Sequence, residues 1–150
     1  MPHILLARPH PFIVSEMAPF LQQQGFSFNR LPQLDALDDE LVKADAAVIS
    51  LALSSPLPQS AEDILAAIRQ RQPELPIVFA SLLPLERVQK NILHLMQQHH
   101  SSAAIAAAGQ MVGAAQPGQA ATALYFCKDD LADAIKRESF AKLLKVHAKH

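Results

Sequence analysis

The chain is 150 residues long, 50% hydrophobic and 18% charged, with a formal net charge of -1. A chain of this length buries roughly 68–70% of the surface its unfolded form exposes, so a single domain over 1–150 with one core is expected. The near-neutral balance gives no electrostatic footprint for nucleic acid, and no apolar run approaches the ~20 residues of a membrane span. One cysteine, Cys127, excludes an intramolecular disulfide and a Cys-based zinc cluster, so a reducing, cytoplasmic compartment is expected. The opening Met1–Pro11 carries only four consecutive apolar residues and no small-residue cleavage site, so it does not read as a signal peptide.

In chain order, Ile4–Ala7 is a short continuous apolar run ended by Arg8-Pro9, which suits a strand buried on both faces. Ile13, Val14, Met17, Phe20 and Leu21 then form one helical stripe that Gly25 terminates, with Pro19 inside it as an expected kink. Phe26–Phe28 alternates as a second strand, and Leu34, Leu37, Leu41 and Val42 mark a second helix. Ala46–Leu53, apolar but for Ser50, reads as the most central strand and opens into Ser54-Ser55-Pro56-Leu57-Pro58.

Ser60-Ala61-Glu62-Asp63 has the form of a capping box with Asp in place of the usual Glu, so a third helix starts there. Pro73–Pro76 ends it and launches the strand Ile77–Ala80, and a fourth helix runs from Pro84 to Met96. Four β-then-α units in succession argue for a parallel sheet with helices on both faces.

Proline is frequent at 11 and glycine scarce at 4, three of the four glycines lying between 109 and 118. The surrounding low-complexity stretch, 103–121, is open between a loose helix, a small hairpin and a mobile loop. Thr122–Cys127 is the last strand. A C-terminal helix begins near Asp129-Asp130, with Leu131, Ala134 and Ile135 in one stripe and Phe140, Leu143, Leu144 and His147 in another; a bend near 137–139 would reconcile them.

The passage Ala67-Ile68-Arg69-Gln70-Arg71-Gln72-Pro73-Glu74-Leu75-Pro76-Ile77-Val78-Phe79-Ala80-Ser81 resembles the helix-three to strand-four passage of bacterial response-regulator receiver domains, the CheY-like family. Tyr125-Phe126-Cys127-Lys128 is similar to that family's fifth strand with its lysine. The resemblance covers 3–81 in register and resumes over 122–146. It implies an α/β, flavodoxin-like (βα)5 doubly wound parallel sheet of order 2-1-3-4-5, with an insertion of about 101–121 between helix four and strand five.

The resemblance also implies where phosphoryl chemistry would sit, and the residues there depart from the family. Arg8 and Pro9 occupy the places of the acid pair that holds Mg²⁺, and Ser50 falls at the phosphoacceptor aspartate when Asp45 is matched to the acid that opens strand three. Ser81 and Lys128 match the retained strand-four hydroxyl and strand-five lysine. Acyl-phosphate formation needs a carboxylate nucleophile and a divalent cation, and Mg²⁺ prefers carboxylate oxygens. No metal, cofactor or catalytic residue is therefore expected, and the chain is not expected to be an enzyme.

Arg8, His10, Ser50, Ser54, Ser55, Ser81 and Lys128 would gather at the carboxyl ends of the strands, where doubly wound sheets bind ligands. Arg8, Ser54 and Lys128 there could hold an anion, or Arg8 could simply pair with local carboxylates or carbonyls. His94, His99, His100, His147 and His150 lack metal-ligand spacing and read as solvated, and Cys127 reads as a small buried hydrophobe. Lys142, Lys145 and Lys149 suit a helix end with cations near the negative pole of its dipole, and membrane or nucleic-acid contact is the sharper alternative. The resemblance implies a phosphorylation-independent signalling module. It would bind a protein partner or a second copy through the helix-four, strand-five, helix-five face, where 101–121 is inserted. A flavodoxin-like sensor of a small anion is the alternative.

Overall fold

The computed structural model describes residues 3–8, 13–51, 60–72, 75, 77–81, 87–88, 90–92, 94, 105–107, 110–112, 123–127 and 133–147. Its strands are β1 (His3–Arg8), β2 (Ser27–Arg30), β3 (Ala46–Ser50), β4 (Ile77–Ser81), β5 (Ile105–Ala107), β6 (Gln110–Val112) and β7 (Ala123–Cys127). They form one sheet in the order β2-β1-β3-β4-β7-β5-β6. The first five in that order pair in parallel throughout and make the 2-1-3-4-5 arrangement expected from the sequence, with β7 as the fifth core strand.

Strands β3 and β4 are buried at all five positions, which is why their sequences are continuous apolar runs and not alternating ones. Successive side chains still go to opposite faces. Leu5, Ala47, Ile49, Ile77, Phe79 and Tyr125 pack with Leu37 and Leu41 of α2 (Leu37–Lys43), Ile64, Leu65 and Ile68 of α3 (Ala61–Arg71), and Val88 and Ile92 of the helical residues 87, 88, 90–92 and 94 (α4). The alternate set, Ile4, Leu6, Ala46, Val48, Val78, Ala80, Leu124 and Phe126, packs on the other face. Its partners there are Phe20 and Leu21 of α1 (Ala18–Gln23) and Phe140, Ala141 and Leu144 of α5 (Ala134–His147). Phe126 and Phe140 meet with ring centroids 4.3 Å apart, and Phe20 stacks on Phe126 at 6.0 Å.

Helix α1 is entered through a π-helical turn over Ile13–Met17, which puts Pro19 in the first α-helical turn. Proline has no N–H to bond back into that turn, and the backbone changes from π- to α-helical at this point instead of running as one regular helix. The helix ends as the sequence indicates. Gly25 has φ +87°, its N–H bonds the Gln22 carbonyl at 3.1 Å, and the Phe26 N–H bonds the Leu21 carbonyl at 3.0 Å. This is the Schellman pattern, with buried Phe26 against buried Leu21 as its apolar contact.

Helix α3 has the expected capping box: Asp63 N–H donates to Ser60 Oγ at 3.1 Å and Ser60 N–H to Asp63 Oδ2 at 3.4 Å. At its other end, Arg69 donates to the Leu75 carbonyl at 2.8 Å and fastens the turn into β4. Burial lowers the Arg69 pKa from its ordinary value, but a guanidinium stays charged at neutral pH. Arg71 pairs with Asp38 and ties α3 to α2.

Three sequence expectations change. In α2, Leu37 and Leu41 are buried but Val42 is 81% exposed, so the stripe is one residue narrower. Residues 134–147 form one uninterrupted helix in which Ile135, expected in a stripe, is 81% exposed, so Phe140, Ala141 and Leu144 are the buried stripe among its described side chains. Of the three readings open for 103–121, the described residues take the hairpin: β5 pairs antiparallel with β6 and parallel with β7, so the insertion lengthens the sheet.

Candidate functional site

Parallel strands whose crossover helices lie on both faces leave their carboxyl ends together along one rim of the sheet. The described residues on this rim are Arg8 at the end of β1, Arg30 at β2, Ser50 and Leu51 at β3, Ser81 at β4, Ala107 at β5 and Cys127 at β7. None of these is a carboxylate. Pro9, His10, Ser54, Ser55 and Lys128 lie outside the described residues.

Ser50 is 2% exposed and Ser81 8% exposed; they are the only buried polar side chains among the described residues. Neither is without an interaction partner. Ser50 stands in register with Ala80, and Ala80 with Phe126; one step further along, Ser81 stands opposite Cys127. The Leu51 N–H bonds the Ala80 carbonyl at 2.9 Å, which carries β3–β4 pairing one residue past Ser50. In the two-residue alternation, Ser50 falls in the row of Ala46 and Val48, toward α1 and α5. Ser81 falls in the row of Ile77 and Phe79, toward α3 and α4.

Arg8 does not stand beside Ser50. The register of β1 on β3 shifts between Leu6 and Arg8, so that Leu6 is opposite Val48 and Arg8 opposite Ile49. The irregularity absorbs one residue at the mouth of the sheet, a place where bulges commonly re-aim a strand end. The sequence carries no glycine or other signal of this shift.

A second polar cluster lies at the opposite, amino-terminal rim, and the sequence reading did not single it out. The His3 N–H donates to Asp45 Oδ2 at 2.7 Å, and the Asp45 N–H donates to the His3 carbonyl at 2.7 Å. His3 Nδ1 and Ser27 Oγ are 2.9 Å apart. Asp45 therefore pins the start of β3 to β1, and Ser27 joins β2 to the same residue. It is a register lock, far along the strands from the Ser50 rim. Its three members are 24 and 42 residues apart from His3 in sequence, so no local motif announces it.

Among the described residues no group of three or more His, Cys, Asp or Glu is placed to hold a metal ion. His94 on α4 is exposed, and His99, His100 and His150 lie outside the described residues. Among the described residues no helix is long and apolar enough to cross a membrane. The basic residues Lys136, Arg137, Lys142 and Lys145 are exposed along α5, with Glu138 beside Lys142 at 3.9 Å.

No family model matches the sequence, and no curated protein matches it. Solved structures do match. A sensor protein from Polaromonas sp. JS666 superposes with a TM-score of 0.61 at 17% identity, covering 98% of this chain and 95% of its own. The receiver domain of a sensor histidine kinase from Pseudomonas aeruginosa PAO1, solved with magnesium coordinated in its active-site cleft, gives 0.60 at 14% identity, covering 99% and 98%. A response regulator receiver domain protein from Clostridium thermocellum gives 0.61 at 14% identity, covering 99% and 97%.

Proposed function

Because the chain has the fold of response-regulator receiver domains, we propose that it is a degenerate receiver: a signalling module that works by binding another protein and does not depend on phosphorylation. One observation carries this reading. Ser50, which we match in sequence to the phosphoacceptor, is 2% exposed at the carboxyl rim and in register with Ala80, itself in register with Phe126.

A serine hydroxyl cannot form an acyl phosphate, and Arg8 and Pro9 are the residues that match in sequence the Mg²⁺-holding acids. Phosphoryl transfer needs its developing negative charge neutralised, and among the described residues the rim offers no carboxylate to recruit Mg²⁺ for it. Ser81 and Lys128 match in sequence the hydroxyl and the lysine that a receiver keeps beside its phosphoryl group, but neither is a carboxylate that could form an acyl phosphate. What remains of the receiver is its scaffold and its surface. The partner face is that of α4, β7 and α5, and either a different protein or a second copy could occupy it.

The test is a titration of the purified chain against the protein encoded beside it, with and without Mg²⁺ and acetyl phosphate. Equal affinity in both conditions supports the reading. Affinity that appears only after phosphodonor treatment overturns it. Bound ultraviolet-absorbing material, or calorimetric binding of phosphate or a nucleotide without any protein partner, assigns the rim to a small anion held at Arg8, Ser54 and Lys128 instead.

A further inference from the structure

A sheet that stopped at the five parallel core strands would have β2 and β7 as its edges. An edge strand presents a row of N–H and C=O groups along which a strand from another molecule can pair. The β7 edge would invite this. Its sequence, Ala123-Leu124-Tyr125-Phe126-Cys127, is apolar, uncharged, free of proline and glycine, and five residues long, which is the composition of association-prone strands.

The chain occupies that edge itself. Strand β5 runs parallel to β7, Ile105 opposite Ala123 and Ala106 opposite Leu124. Strand β6 folds back on β5, Ile105 opposite Val112 and Ala107 opposite Gln110. The replacement edge, β6, is three residues long against five for β7, and it ends the parallel series with an antiparallel strand. Short edge strands are one means by which natural sheets avoid pairing with other chains. The Ala-rich stretch, expected from the sequence at the partner face, therefore also covers a strand edge.

We propose that the β5–β6 hairpin is an autoinhibitory strap: it holds the outer edge of β7 closed against strand pairing with the β7 of a second copy of this chain. Two copies paired by identical strands about a two-fold axis satisfy each other's backbone groups reciprocally. Displacing the strap opens this interface. The strap concerns the outer edge of β7, whereas the partner reading above concerns the face that β7 shares with α4 and α5; docking on that face leaves the β7 amides directed at β5 protected, so the two fail separately.

The test uses the full chain, a variant lacking residues 103–121, and Ala106→Pro. Strand β5 is paired on both sides, so proline at 106 removes one backbone bond whichever way that N–H points. Sedimentation velocity and amide hydrogen exchange are followed over a range of concentrations, with protection at 46–50 and 77–81 reporting that the core is folded. In the full chain the β7 amides directed at β5 are expected to be protected at every concentration. In the deletion variant they are expected to exchange freely when dilute and to regain protection as a dimer forms. A folded deletion variant that stays monomeric overturns the proposal, as do freely exchanging β7 amides in the full chain. Should the deletion cost the fold, Ala106→Pro decides: concentration-dependent pairing with faster exchange when dilute supports the strap, and unchanged sedimentation and exchange overturn it.

Discussion

Ser50 and Ser81 end neighbouring strands one residue apart in register, and the strand alternation sends them to opposite faces of the sheet. The two buried hydroxyls at the rim are thus parts of two different packed surfaces. The first row belongs to α1 and α5, where Phe20, Phe126 and Phe140 cluster; the second belongs to α3 and α4.

This arrangement sets what Ser50→Asp should do. The new carboxylate would enter a site 2% exposed, with no acid-bound Mg²⁺ to compensate it. An uncompensated buried charge costs about 3–5 kcal/mol. Chemical denaturation at neutral pH is expected to show a loss of that order, and no gain of phosphodonor labelling. Burial raises a carboxyl's pKa above its unfolded value of about 3.9. The cost is therefore absent at and below that value and grows as pH rises toward the folded pKa, so the stability gap to the parent chain should narrow on acidification. A gap independent of pH would mean the carboxylate finds solvent or a cation.

The aromatic trio supplies a second measurement. Phe126 and Phe140 are fully buried, with centroids 4.3 Å apart. Phe→Ala at either position should cost about 3–5 kcal/mol. The double variant should cost less than the sum of the singles, by about 0.5–1.5 kcal/mol for the lost ring pair. Strict additivity in urea titrations would show that α5 does not dock on β7 through these rings.

Helix α5 offers a contrast within one element. Ile135, 81% exposed, should tolerate Ile135→Gln within about 0.5 kcal/mol. Leu144, fully buried, should lose about 2–5 kcal/mol as Leu144→Ala. Comparable losses at both positions would restore the two-stripe, bent helix that the apolar spacing suggested.

At the start of α3, Ser60→Ala removes the acceptor for the Asp63 N–H and should cost about 1 kcal/mol, read as a melting temperature lower by roughly 2–4 °C. Ser60→Asp, which keeps an acceptor, should recover most of it. A Ser60→Ala variant as stable as the parent chain would mean that solvent satisfies that N–H equally well.

Much of this architecture is legible in the residues because its causes are local. The capping box at Ser60 and Asp63, the glycine stop at Gly25 and the proline-bounded run Ile77–Ser81 each announce an element within a few positions. What the sequence hides is tertiary. Whether Ile135 faces the core depends on how α5 lies against Phe126, and the shift that puts Arg8 opposite Ile49 depends on how β1 meets β3. The His3, Ser27 and Asp45 lock joins residues from three strands. The hairpin was open among three readings because Ala and Gly favour no one of them strongly; pairing with β7 decided it. At the candidate site, the resemblance already implies Arg8, Pro9 and Ser50 at the places of acids. The burial of Ser50, and its separation from Ser81 by the plane of the sheet, needed the structure.

The most direct test of phosphorylation independence is incubation of the intact chain with Mg²⁺ and acetyl phosphate, followed by intact-mass measurement. On the proposed matching, which puts Ser50 at the nucleophile and Arg8 and Pro9 at the Mg²⁺ ligands, no adduct is expected, with or without the metal. A Mg²⁺-dependent adduct of one phosphoryl group that is lost on treatment with hydroxylamine, as an acyl phosphate would be, would contradict it.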